Sequence, residues 1–372
     1  MRPADPQPRI QPQRLKQLLQ RLVEIYSPSG KEEAVLEYTR NFLKRNGLSV
    51  TRQPVDSNRY NIIIRPDDRE PLAAFIGHLD TVEAYDLETF GFVEHHDMAS
   101  GLGAADMKGG CAAMIEAFLA FTNARSALPP AALCLVVGEE ETGDGAAQLM
   151  KTCHFPWAVV GEPTQLVPCL GHFGYVEIQI AAEGVRTHAS LANPTRHTVE
   201  ALLHTMLDLS RFMANKPELA YNIHDLFSSR SGFAVPERCE AWIDIHLPPA
   251  APIGEIIGEL EEICITRSPD FPDIQMNFRT VTIDAGYQIP EKGLLVDALK
   301  DVFASRRRPW QPDVFRSHSD ANQLWQAGVK PIILGPGQLE MAHARDECVP
   351  IAQVVAAAEI YLDLMCRLDS GC

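Results

Sequence analysis

Apolar positions along the chain fall into two spacings. In the segment RLKQLLQRLVEIYS, the residues Leu15, Leu18, Leu19, Leu22 and Ile25 recur at three- and four-residue intervals, which predicts an amphipathic helix. The following PSGKEEAVLEYTRNFLKRNG opens on turn residues and closes at Gly47, the pattern of a helix with a glycine stop. Short apolar runs then appear as NIIIRP, LAAFIG, AALCLVVG and WAVVG, each the length of a buried strand. Between the second and third lies KGGCAAMIEAFLAFT, which has the length of a helix. Strands alternating with helices predict an α/β sheet with helices on both faces.

The pattern changes near Gly174. YVEIQIAAEG alternates as a strand, PTRHTVEALLHTMLDLSRFM is a proline-started amphipathic helix, and ELAYNIHDLFSS and RCEAWIDIHLP are two further strands. APIGEIIGELEEICITR is a second helix and DIQMNFRTVTID a closing strand. The order β-α-β-β-α-β is that of a ferredoxin-like α+β domain. The expected organisation is therefore a first domain over 1–173 and 286–372, interrupted by a second over 174–285. The first resumes with a helix at KGLLVDALKDVFAS, a strand at KPIILG and a C-terminal helix in PIAQVVAAAEIYLDLM.

A length of 372 residues agrees with two domains. The formal net charge of -16 argues against nucleic acid or an anionic membrane as partner, since both require basic surface. Nine cysteines are scattered without a C-x-x-C pair, and Cys111, Cys134 and Cys264 sit inside apolar runs. These are expected to be buried thiols in a reducing compartment. The N-terminal MRPADPQPRIQPQ is polar and proline-rich without an apolar h-region, so no secretory signal is expected. The expected setting is cytoplasmic.

The unusual polar residues follow the strands. LAAFIG runs into His78 and Asp80, AALCLVVG into Glu139, Glu140 and Glu141, WAVVG into Glu162, and KPIILG precedes His343. Ligands of open α/β sheets bind beyond the carboxyl ends of the strands. Asp106, in the glycine-rich GLGAADMKGG just before a helix, is a fifth candidate. Each residue has an ordinary reading when taken singly: a core histidine, a turn former, a helix cap or a surface carboxylate. Delivered together to one rim, imidazoles and carboxylates without thiolate suit Zn²⁺, Mn²⁺ or Co²⁺ in a catalytic site. The set His78, Asp106, Glu141, Glu162 and His343 has the right size for two ions about 3.5–4 Å apart sharing a bridging carboxylate. A glutamate left without a metal can then serve as general base.

Other chemistries find less support. GLGAAD lacks the third glycine of a dinucleotide fingerprint. SHSD, at 317–320, contains Ser, His and Asp, but sequence neighbours rarely converge as a triad. Neither a G-x-S-x-G elbow nor an H-E-x-x-H helix is present.

The segments GHLDTV, GLGAADMKGG, GEEETG, VVGEPT, GVRTHAS and GPG…AHARDE resemble the dinuclear metallohydrolase family of acetylornithine deacetylase, succinyl-diaminopimelate desuccinylase, aminoacylase and glutamate carboxypeptidase. The resemblance covers nearly the whole chain. It implies a zinc-peptidase-like catalytic domain, a mixed sheet flanked by helices, and an inserted ferredoxin-like lid and dimerisation domain. It also implies two divalent ions, most often Zn²⁺, and a substrate that is an N-acyl amino acid or a short peptide. By the same resemblance His78 binds one metal, Asp80 orients it, Asp106 bridges, Glu162 completes the first site and His343 belongs to the second. With the acidic-Glu-Glu-x-Gly motif anchored at Gly143, Glu140 becomes the general base and Glu141 a ligand of the second site. A register not anchored at Gly143 moves these roles to Glu139 and Glu140. His188 resembles the lid histidine that reaches a neighbouring subunit's site and steadies the oxyanion, implying a homodimer. The family's lid commonly carries Asp-x-Arg to meet a substrate carboxylate, whereas this chain has Asp244-Ile245-His246, with Arg316 and Arg186 as candidate replacements. Glu162, where other branches carry aspartate, resembles the acyl-amino-acid hydrolases.

Overall fold

The computed structural model describes residues 7–230 and 232–370. The chain divides into two compact units: one takes the residues up to Gly171, Ile289–Phe315 and Ser319 onward, the other His172–Gln288 with Arg316–His318.

In the first unit the fully buried apolar runs form the centre of a mixed sheet. Ala131–Val136, Ala73–His78, Trp157–Val160 and Lys330–Ile333 lie side by side and all parallel. Their registers pair His78 with Val136, Ile76 with Val160, and Val160 with Ile333, so all four strands end at one rim. Tyr60–Ile64 joins antiparallel on one side, followed by Thr51–Pro54, and Cys169–His172 joins antiparallel on the other. Strands buried on both faces are continuous apolar runs rather than alternating ones, which is why the sequence announces them.

The helices cover this sheet. Gly109–Arg125 packs against Pro12–Glu24 and Ile351–Ser370, and Phe118 and Tyr361 meet Phe75 of the sheet edge-on at 5.7 and 5.6 Å. Gly109–Arg125 is buried nearly all round, and its buried Glu116 is held by both Nε and Nη2 of Arg14, at 2.7 and 2.9 Å. A bidentate guanidinium keeps that carboxylate from being a buried unpaired charge. The helix starts so close to the sheet that a Cβ on Gly110 would lie 2.2 Å from the carbonyl oxygen of Gly161. That oxygen is backbone and cannot swing away. Gly110→Ala is expected to destabilise the unit by about 1–3 kcal/mol or more through overpacking, read as a lowered denaturant midpoint.

Several short elements escape the apolar pattern, among them two strands and two helices of this unit. Thr51–Pro54 has mostly exposed side chains, and Cys169–His172 is only four residues long. The helices Asp144–Thr152 and Asp320–Gln326 are short, and they pack on each other and on strands of the sheet. None of the helices described is long and apolar enough to cross a membrane. The eight cysteines described are all free thiols.

The second unit is a four-stranded antiparallel sheet in the spatial order Ala220–Ser228, Arg238–Leu247, Gly174–Glu183, Gln275–Asp284. With helices Thr198–Ala214 and Ile253–Arg267 it completes the β-α-β-β-α-β order. Val176, Ile178, Ile180, Ala241, Ile243 and Ile245 form its core with Leu202, Leu209, Ile256 and Leu260 of the helices. Strand alternation sends Tyr175, Glu177, Trp242, Asp244 and His246 to the other face, where all are half-buried.

Candidate metal centre

The rim at the carboxyl ends of the parallel strands gathers a dense set of charges. His78, the last residue of its strand, is fully buried. Its Nε2 lies 3.3 Å from Asp106 Oδ1, 3.7 Å from Glu139 Oε2 and 3.8 Å from Glu162 Oε1. Its Nδ1 lies 3.1 Å from the backbone oxygen of Asp80 and 3.6 Å from Asp80 Oδ1. Asp80 is fixed in turn, since Oδ2 accepts from Ser29 Oγ at 2.7 Å and from the Glu140 backbone N–H at 3.0 Å. His343 Nε2 stands 2.8 Å from Glu140 Oε2 and 3.7 Å from Asp106 Oδ2. The two oxygens of Asp106 therefore face different histidines.

Two triads result, His78–Asp106–Glu162 and Asp106–Glu140–His343, each with ligand atoms within 4.8 Å of one another, and they share Asp106. Glu139 and Glu140 also group with His78. The expected positions of His78, Asp80, Asp106, Glu162 and His343 all meet here. Glu141 does not. It is exposed and belongs to none of the groups. The reason lies in the turn that follows Ala131–Val136. Gly138 takes a φ of +73°, and its carbonyl accepts from the N–H groups of Thr142 and Gly143 at 3.0 and 2.7 Å. This tight turn folds Glu139 and Glu140 back to the rim, with side chains only 10% and 4% exposed, and leaves Glu141 outside. The assignment of Glu141 as a metal ligand and Glu140 as the metal-free glutamate is thus corrected by one residue: Glu140 meets His343, and Glu139 is the additional carboxylate. His188 lies in the second unit, exposed, with Nδ1 accepting from the Ser190 backbone N–H at 3.2 Å.

The electrostatics describe a site short of positive charge. Burial pushes the carboxyl groups of Glu139 and Glu162 well above the usual range, with neighbouring carboxylates adding to it. Burial also raises Glu140 against the opposing hydrogen bond from His343. Burial disfavours charge on His78, but the bond to Asp106 and the surrounding carboxylates carry its pKa well above normal. His343 is raised to about 9, first by its bond to Glu140. Glu162 Oε1 is buried without a hydrogen-bond partner. Four clustered carboxylates, two imidazoles and an orphaned oxygen are what a pair of divalent cations would satisfy, and the donor set fits them.

Two further residues were not singled out from the sequence. Glu347, buried, accepts from the backbone N–H groups of Gly103, Ala105 and Asp106 at 2.8, 2.8 and 3.0 Å. It holds the loop that presents Asp106. Asp320, passed over within SHSD, is buried at the start of its helix, with Oδ1 unpaired and its pKa pushed by burial to about 7. Glu347 closes AHARDE directly behind Arg345 and Asp346, so no apolar run marks it. Its function through backbone donors leaves no such trace.

The chain also matches known proteins. A protein of Aspergillus flavus named "Probable carboxypeptidase" is 26% identical over 375 residues, covering 92% of this chain and 85% of that one. Acetylornithine deacetylase of Pectobacterium atrosepticum is 24% identical over 334 residues, covering 84% and 85%. The crystal structure of a tripeptidase from Staphylococcus aureus shares the fold at a TM-score of 0.80 and 18% identity, covering 96% of this chain and 99% of that one. Residues 74–367 match Peptidase family M20/M25/M40, and the chain belongs to that family as a hydrolase acting on amide bonds.

Proposed function

We propose that the protein is a metal-dependent amidohydrolase that removes an acyl group from an N-acyl amino acid. The observation that carries this reading is the pair of triads sharing Asp106, with Glu139 beside them. In this reading His78, Asp106 and Glu162 hold one divalent ion and Asp106, Glu140 and His343 the other. Zn²⁺ suits the donor set best, with Co²⁺ or Mn²⁺ as alternatives. Such ions, when bound, would supply a more acidic water and polarise the amide carbonyl.

The chain's own residues do the rest. Asp80 orients the imidazole of His78 by accepting from Nδ1 at its backbone oxygen, while its carboxylate accepts from the Glu140 backbone N–H. Glu139 takes the proton of the attacking water and delivers it to the leaving amine. His188 would donate to the developing oxyanion from a second subunit. Exposed Val185, Leu191 and Phe233 near it in sequence or strand pairing support the second unit as a lid and homodimer contact. Free thiols suit a reducing, cytoplasmic setting.

A carboxypeptidase or dipeptidase is the second reading, favoured by the 26% identity to the Aspergillus protein. Glu162, in place of an aspartate, favours the deacylase. A panel of N-acetyl and N-succinyl amino acids and dipeptides, assayed with added Zn²⁺, separates the two. Release of free amino acid from the acylated substrates is the expected result, and release only from dipeptides would overturn the deacylase reading.

A further inference from the structure

A second histidine–carboxylate cluster lies wholly within the inserted unit. Glu177, His224 and Asp244 come from three adjacent strands of its sheet, and one ligand atom from each lies within 4.8 Å of the others. Strand pairing sets Asp244 directly opposite Glu177 on one side and Asn222 on the other. Alternation then brings His224, two residues from Asn222, to the same face, away from the packed core.

We propose that Glu177, His224 and Asp244 form a binding site for one divalent transition-metal ion, of the Zn²⁺ type, separate from the centre at His78. The arrangement around His224 supports this. Its Nε2 faces Asp244 Oδ1 at 3.0 Å, while its Nδ1 lies 2.7 Å from Asp225 Oδ2. A metal-binding histidine characteristically donates its other ring N–H to a carboxylate, which fixes the tautomer and aims the free nitrogen at the ion. Regular alternation would turn residue 225 to the opposite face from 224. The strand instead shifts register between His224 and Phe227, and Asp225 takes a φ of +50°, which brings its carboxylate to the imidazole.

The ligand carboxylates are also held. Tyr175 donates its hydroxyl to Asp244 Oδ1 at 2.8 Å, and Thr282 Oγ1 stands 3.5 Å from Glu177 Oε2. Charge favours occupancy. Glu177, Asp244 and Asp225 surround a single imidazole, so even a protonated His224 leaves two negative charges uncompensated, and a divalent ion leaves one with the ring neutral. One imidazole and two carboxylates leave coordination positions for water, as in open zinc sites.

The test counts ions on the full chain. Metal-stripped native protein and His224→Ala are dialysed against the same Zn²⁺ solution, and bound metal is measured by elemental analysis. The expected result is one equivalent less on His224→Ala than on the native chain. His343→Ala, which alters only the other centre, should retain that equivalent. Equal stoichiometry in native and folded His224→Ala protein would overturn the proposal. Should His224→Ala fail to fold, Glu177→Gln on the half-exposed face reads the same difference, and an undiminished count there overturns it equally.

Discussion

Glu139→Gln should lower turnover by about 10²–10⁴-fold, the span a positioned general base contributes, while metal content stays at the native level. The amide preserves the shape of the side chain but cannot accept the proton of the attacking water. Glu141→Gln should leave turnover within a few-fold of native, because that side chain is exposed and outside the cluster. Glu140→Gln should behave differently from both: with a ligand beside His343 weakened, activity and metal content should fall together. Steady-state kinetics paired with metal analysis on the three variants therefore assigns each glutamate. A Glu141→Gln protein as inactive as Glu139→Gln would return the roles to the register anchored at Gly143.

The second large effect is expected at Glu347. Removing its carboxylate in Glu347→Ala leaves three inward-facing backbone donors without their acceptor, at a cost of roughly 1–3 kcal/mol for each that water does not reach. Because one of those donors belongs to Asp106, the loop's position and the carboxylate common to both triads move together. Metal affinity should fall about 10–100-fold, as it does when residues supporting metal ligands are lost. Glu347→Gln keeps one carbonyl acceptor and should lie between alanine and native. Competitive chelation followed by thermal melting measures both quantities, and an alanine variant with native affinity would refute this role.

Much of the site is readable from the sequence because its logic is that of parallel strands. His78 and Glu162 stand directly beyond buried apolar runs, and such runs mark both the strand and its end. Asp106 and His343 lie on loops near the same rim. The glutamate run resists the same treatment because its register depends on backbone dihedrals. Gly138 and Gly143 both take positive φ, and either glycine can anchor a motif on paper. Only the turn closed by the Gly138 carbonyl decides which side chains face inward. Glu347 and Asp320 were hidden for another reason. Their importance comes from burial created by distant elements, and neither sits at the end of a strand's apolar run. The four main strands and two helices of the inserted unit are legible, since alternation in YVEIQI and RCEAWIDIHL separates its two faces, whereas the two-residue strands Thr187–His188 and Ala234–Val235 leave no such pattern.

The bond between Glu347 and the Gly103 backbone spans 244 residues of chain, and that between His343 and Glu140 spans 203. On the ribosome, at about 5–20 residues per second, Gly103 precedes its acceptor by roughly ten to fifty seconds. By the end of that interval the inserted unit's continuous segment, His172–Gln288, and its return segment, Arg316–His318, have both been made, ahead of Glu347. The carboxylates of Asp106, Glu140 and Glu162 meanwhile exist without His343 to offset them. Completion of the cluster consequently waits for His343 and Glu347, the members made after all of its other side chains.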